Sequence, residues 1–348
     1  MKKTVCIIIC ISTVLLCGCS GGSVYSNYRD AEMLTVIETM GIDETDSGVT
    51  LTVSSGAGTG GSSKPQKSTC MFAEDRSISL ARQKLQDYSA SEELFFAHTA
   101  YLALGYDTAK RGIMPYLDYA ARSQDLRLDV PMFTVCGTDA KTLISSAGGK
   151  NLDATSVFAS VERDCEKLGD CLIFSVSDII ASLNENGCAL MTAVKAKPAS
   201  NSVADAQNDE LAAIPDGYAV IKNGTAVGRI RMDSAPAVSI IKNRAGPFSI
   251  DLDCDGKRVT VRLGDCSCKQ KGDKLIIDVS AVIAEREAAA APDAVEKALK
   301  QRINDMIRSV LETSKRLRCD FLDLGMTEDS SFSLEISCET DRTRSALR

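Results

Sequence analysis

The 348-residue chain has no tryptophan and a single histidine, His98, and its aromatic residues amount to 5% against 44% hydrophobic residues overall. Its cores must therefore be built from aliphatic side chains. With one histidine, a mixed cysteine–histidine zinc site has little material, and four thiolates are the remaining metal alternative. A Ser/His/Asp or Cys/His catalytic set would have to use His98. That residue sits in an apolar stretch and reads as a packed, hydrogen-bonded histidine. Positive charge is also scarce: 40 Lys and Arg face 47 Asp and Glu, a net charge of -7. This argues against nucleic acid as a partner and against a surface held to anionic lipid by charge. Acidic pairs such as Glu92-Glu93 and Glu285/Glu287 read as surface charge. No apolar run reaches the roughly 20 residues needed to cross a bilayer core. No Gly-Lys-Ser/Thr is present, so a P-loop is excluded. The sequence implies no cofactor, no metal and no catalytic residue.

What is present begins at the N-terminus. Lys2 and Lys3 form a positive region, Val5 to Leu16 an apolar one, and Leu16-Cys17-Gly18-Cys19 has the form of a bacterial lipobox. Gly18 supplies the small residue before the cut and Cys19 the thiol that carries lipid. Residues 1–18 then read as a cleaved lipoprotein signal peptide rather than a membrane span. Cys17 is a less usual occupant of its position, and an ordinary secretory signal with a free Cys19 is the alternative. One acyl chain holds a protein marginally and two or more hold it stably. A diacylglyceryl, N-acylated (palmitate-type) Cys19 would keep the mature chain on a membrane, with residues 19–27 as tether. Loss of Lys2 and Lys3 leaves 38 basic against 47 acidic side chains, a net charge of -9.

Of 14 cysteines, ten lie beyond Cys19. An exported chain could use them as disulfides. Several sit in apolar context, where cysteine behaves as a small hydrophobe, and the expectation is mostly free thiols. Cys165/Cys171 and Cys266/Cys268 are the pairs to test for bonding.

Residues 28–196 read as an N-terminal mixed α/β domain. Strands are expected at Thr50 to Ser54, Ala97 to Leu104, Asp129 to Val135 and Ala189 to Lys195. Helices are expected at Ser79 to Tyr88, from Thr108 with Asp107 as cap, again after Pro115, and at Thr138 to Ser145, Val157 to Leu168 and Ser177 to Leu183. Gly56, Gly58 and Gly61 spell G-x-G-x-x-G after a strand. Ser62-Ser63-Lys64-Pro65 follows in place of a helix, so a glycine-rich loop is the better account than a dinucleotide site. Residues 197–213 are polar and aperiodic and read as a linker or exposed loop. Residues 214–340 read as a C-terminal α+β domain. It opens with a hairpin turning at Asn223-Gly224, continues with strands at Phe248 to Cys254, Lys257 to Leu263 and Lys274 to Ala284, and contains a long helix over 293–318. There Val295, Leu299, Ile303, Met306, Val310 and Leu317 recur at helical spacing. The helix's basic end reads as a solvated face near the negative pole of the helix dipole. A strand pair around Gly325 is expected within Asp320 to Glu339, and residues 341–348 as a frayed tail. The fold class is α+β or mixed α/β, with several subdomains.

Certain residues, taken in order, resemble the Ger(x)C family, the C subunit of spore nutrient germinant receptors. They are Arg29-Asp30-Ala31-Glu32 with Gly41-Ile42-Asp43; then His98, Gly105, Ala109, Gly112-Ile113, Asp118, Arg122 and Arg127. Tyr218 to Lys222 with Val227-Gly228 follow, and Cys319 to Gly325 close the series. Their order and spacing carry the resemblance. Ser123-Gln124-Asp125 departs from the more usual Asp-Pro-Glu type of turn. The resemblance implies mixed β-sheets flanked by helices and no enzymatic activity. It implies a lipoprotein on the outer face of the spore inner membrane, working with polytopic membrane subunits A and B in a receptor for small nutrients. The alternative function is the substrate-binding lipoprotein of a transporter.

Overall fold

A computed structural model describes residues 34–56, 68–89, 92–147, 153–198, 211–254, 256–286, 291–327 and 329–341. The signal peptide, Cys19, the tether, Arg29 to Glu32, most of the glycine-rich loop, the 199–210 part of the linker and the tail after Asp341 lie outside the described residues. Two mixed β-sheets flanked by helices form the fold.

The larger sheet contains β1 (Leu34–Glu44), β2 (Val49–Ser55), β3 (Cys70–Asp75), β4 (Glu93–Phe95), β5 (Tyr101–Gly105), β6 (Met132–Cys136), β7 (Cys188–Pro198), β8 (Leu211–Lys222) and β9 (Thr225–Ile230). Its order is β3-β2-β1-β5-β6-β7-β8-β9, and β4 pairs with β1. β1, β5, β6 and β7 run parallel, with antiparallel strands at both flanks. Helices cover a parallel sheet on both faces, so its strands are apolar throughout. β5 and β6 obey this: all five residues of each are buried. The helices of this part are α1 (Ile78–Tyr88), α2 (Tyr106–Arg111), α3 (Met114–Arg122), α4 (Ala140–Ser146), α5 (Ala154–Leu168) and α6 (Val176–Asn186). Ser77, Asp139, Asp153 and Ser175 cap the first turns of α1, α4, α5 and α6 with side-chain oxygens. Gly169 stops α5 in the left-handed conformation, as its position predicts.

The smaller sheet holds β10 (Ser249–Cys254), β11 (Lys257–Lys271), β12 (Lys274–Arg286) and β13 (Ser333–Asp341), in that order. β10 alternates exposed and buried residues, the mark of a strand with one face in water. β12 and β13 are parallel, and the crossover between them is the long helix α8 (Pro292–Leu317). α8 buries Val295, Leu299, Ile303, Met306, Ile307, Val310 and Leu311 on one stripe. It packs against β10 and β13 of the smaller sheet, β9 of the larger one, and α7 (Ala235–Ile241). Gly228 in β9 lets it approach, since a Cβ there would lie 2.7 Å from a Leu317 methyl.

Four expectations are corrected. The hairpin at Asn223-Gly224 forms, with both turn residues at positive φ, the geometry of a type I′ turn. It does not open a second unit at residue 214, however, because β8 pairs with β7 from Cys188↔Lys222 to Pro198↔Leu211 and so extends the larger sheet. Asp107 lies inside the first turn of α2 rather than capping it, and Gly105 holds the cap position. β5 begins at Tyr101, because both the amide and the hydroxyl of Thr99 donate to Phe96 O and make a turn of the preceding residues. Finally, of the strand pair expected within Asp320 to Glu339, β13 forms from Ser333 and pairs with β12, while the described residues next to Gly325 make a loop. The Asp320 carboxylate accepts hydrogen bonds from the amides of Leu324, Gly325 and Met326 at 2.7–3.2 Å, taking the donors a ladder would need.

Tyr218 of β8 ties the sheet to the segment after α5. It is fully buried, and its hydroxyl accepts the Leu172 amide at 2.6 Å. Tyr218→Phe keeps the ring but strands that buried amide. It should lower the unfolding free energy by about 1–3 kcal/mol, read from urea titration of the purified chain.

Candidate functional site

The carboxyl ends of the parallel strands and the helices beside them place most of the central sequence motif in one region. β1 carries Gly41-Ile42-Asp43 just before its last residue, Glu44. The buried Asp43 carboxylate accepts the amides of Ala140, at 3.0 Å, and Lys141, at 2.8 Å, and so holds the first turn of α4. Burial pushes the Asp43 carboxyl above the usual range, and the two backbone amides act in the opposite sense. Gly105 makes room for this group, since a Cβ on it would lie 2.4 Å from Asp43 Oδ1. A Cβ at Gly41 would lie 2.5 Å from an Ile144 methyl of the same helix. Next along β1, the Glu44 amide donates to Thr108 Oγ1 at 2.8 Å, and its carboxylate accepts the Tyr116 hydroxyl at 3.1 Å. Ile113 donates its amide to Gly224 O at 2.7 Å, joining the α2–α3 corner to the β8–β9 turn. Gly41, Asp43, Gly105, Ala109 and Ile113 thus form the packed base of this region rather than a reaction centre.

Above that base, the β1–β2 turn, the first turns of α1, β4 and the outer face of α3 surround an open groove of about 1230 Å³. Arg82 of α1 dominates its wall. Its guanidinium lies 4.1 Å from the centre of the Phe96 ring, pairs with Asp125 and reaches the Tyr119 hydroxyl at 3.5 Å. Asp118 and Arg122 pair on the rim at 2.8 Å, one helical turn apart. Tyr116 forms part of the floor, and burial together with the Glu44 carboxylate raises its phenol pKa. The groove therefore presents paired charges and phenols. Its chemistry suits polar recognition.

The remaining predicted residues lie elsewhere. His98 is not packed: it sits exposed in the turn between β4 and β5, its ring 5.6 Å from that of Phe95. Chain reversal at Thr99 overrides the apolar character of its neighbours. Arg127 pairs with Asp129 outside the groove. All ten cysteines among the described residues are free thiols. Cys165 and Cys171 are brought into contact. Cys266 and Cys268 stay two residues apart on β11, half-buried and buried. Among the described residues no cluster of three or more His, Cys, Asp or Glu side chains could hold a metal ion. Among them also, no helix is long and apolar enough to cross a membrane. Sequence reading missed the groove, because its walls come from four separate stretches, and only the Asp118/Arg122 spacing hinted at a shared helix face.

Residues 27–196 match the spore germination protein N-terminal domain. The crystal structure of the GerBC protein is similar in fold, with a TM-score of 0.50 at 14% identity, over 86% of this chain and 96% of that one. No curated protein matches the chain significantly in sequence. The matched span contains the Gly-Ile-Asp segment of β1, the α2–α3 corner and the groove rim, and through it residues 27–196 belong to the Ger(x)C family of spore germination proteins.

Proposed function

We propose that this protein is the lipid-anchored C subunit of a spore nutrient germinant receptor, required for nutrient-triggered germination. The observation that carries the reading is the spore germination domain over residues 27–196. Residues 1–18 leave as a signal peptide, and Cys19 carries the lipid that holds the chain on the outer face of the spore inner membrane. The net negative charge of the mature chain leaves that lipid as its contact with the bilayer. The protein acts through contacts with the polytopic A and B subunits, without catalysis. The paired charges around the groove supply a polar surface for such contacts.

The test is deletion of the gene, in a strain lacking its paralogues, with dipicolinic acid release followed from purified spores. Loss of the response to nutrients but not to a non-nutrient trigger is expected. The wild-type gene should restore it and Cys19→Ala should not, with the variant chain lost from the membrane fraction. An unchanged response to every nutrient would overturn the reading. The groove volume favours a second reading, a substrate-binding lipoprotein of a transporter. A large thermal shift of the purified chain with one small nutrient, joined to an unchanged germination response, would select it.

A further inference from the structure

A second pair of thiols meets where sequence spacing gives no hint of it. Cys188 opens β7, and Cys319 lies just past the end of α8. The two segments are held together by bonds that do not involve sulfur. Asn186 Nδ2 donates to Asp320 O at 3.1 Å and to Asp323 Oδ1 at 3.0 Å, while Asn186 Oδ1 accepts the Cys188 amide at 2.9 Å. Lys222, the ladder partner of Cys188, donates its ammonium to Leu317 O at 3.1 Å. Arg318 adopts a left-handed conformation, φ 52°, which turns the chain after the helix toward β8. The Cys319 thiol consequently lies 3.5 Å from Ile221 O, one residue from the ladder partner of Cys188, which brings the two thiols beside each other. Both residues are buried, at 4% and 2% exposure.

We propose that Cys188 and Cys319 form a disulfide in the exported protein, fastening the end of the long helix to the larger sheet. The exported placement rests on the signal-peptide reading above. The reaction converts two thiols into one S–S bond and releases two protons. Its two electrons reduce the disulfide of an extracytoplasmic thiol–disulfide oxidoreductase to a dithiol, by way of a mixed disulfide. Burial and the neighbouring thiol raise the Cys319 pKa, so little thiolate exists once α8 has docked. Exchange therefore takes place during folding, before the helix closes over the pair. A bond between residues so distant in sequence removes much more freedom from the unfolded chain than one between Cys165 and Cys171, which closes a short turn.

The test is peptide mapping of the full chain. It is refolded in detergent with a mixture of reduced and oxidised glutathione, alkylated under denaturing conditions and digested without reduction. The expected result is a cross-linked peptide containing Cys188 and Cys319, lighter by two hydrogens than the two thiol peptides and separated by dithiothreitol. Reduction should lower the melting temperature of the wild type but not of a Cys188→Ser/Cys319→Ser chain. Complete alkylation of both cysteines without reduction, or their pairing with other cysteines, would overturn the proposal. The same map on protein extracted from spores separates the two claims. A pair that forms in the glutathione mixture yet is fully alkylated from spores would overturn the exported placement and leave the pairing geometry standing.

Discussion

Ile303→Ala should lower the free energy of unfolding by about 2–5 kcal/mol. Ile303 is completely buried near the middle of α8. The substitution removes apolar atoms from a packed interior and leaves a cavity that a helix anchored at both ends can fill only in part. Alanine has the highest helix propensity, so the loss is one of packing and not of helix formation. Arg308→Ala, on the exposed face of the same helix, supplies the comparison and should stay within about 0.5 kcal/mol of the wild type. Ile303→Val, which removes less, should cost about 0.5–1.5 kcal/mol. Guanidinium titration followed by circular dichroism measures all three. The helix touches β9 of the larger sheet and β10 and β13 of the smaller one, so the transition of Ile303→Ala should shift as a whole. An early transition confined to part of the signal would mean that α8 stabilises the smaller sheet alone.

α8 also shows how far this fold can be read from residues alone. Its apolar positions recur every three or four residues because one face meets protein and the other meets water, and that contrast leaves a period in the sequence. The Asn223-Gly224 turn was legible for a comparable reason, since few other residue pairs take positive φ twice. α7 was not legible. All seven of its residues are buried, so no polar face exists to generate a period. β3 and β4 were missed because β4 has only three residues and β3 exposes Phe72 while burying Ala73, so its apolar residues leave no alternation to register. The attachment of β8 to the larger sheet was hidden by the polar stretch before it. Composition marks that stretch as a loop but does not say that the strands on either side of it pair. For the site, the motif residues were legible as a series, while their roles depended on distances. Asp43 and Gly105 became partners only once β1 and β5 were paired side by side, and Arg82 entered the groove without belonging to any motif.

That partnership yields the last expected result. In Asp43→Ala the amides of Ala140 and Lys141 lose their acceptor in a largely buried place. With about 1–3 kcal/mol for each unsatisfied group, partly relieved by water, the variant should lose about 2–4 kcal/mol. Gly105→Ala should also destabilise, by about 1–3 kcal/mol, although its φ of -57° suits alanine. The penalty there is steric, because the new methyl would meet Asp43 Oδ1 at 2.4 Å. Removing that oxygen removes the collision, so the double variant should be more stable than the sum of the single losses predicts, by about 0.5–3 kcal/mol. Additive losses would mean that Gly105 is required for some other contact. The pH dependence supplies a second check. Burial raises the Asp43 pKa in the folded chain above its ordinary value of 3.8. Between the two values the folded state keeps a proton that the unfolded state has released. The contribution of Asp43 to stability is therefore greatest below pH 3.8 and falls as pH rises through the raised value, above which it is constant. Asp43→Asn retains an acceptor oxygen and cannot ionise, so its stability should lack that decline. The consequence reaches the groove through one residue. Glu44 follows Asp43 directly and joins both Thr108 and Tyr116, so releasing α4 from β1 loosens the wall that the germination domain presents to its surroundings. Spores carrying Asp43→Ala should then respond to nutrients more slowly than wild type, and a rate closer to wild type in Asp43→Asn, which keeps an acceptor oxygen, would assign the defect to the lost hold on α4.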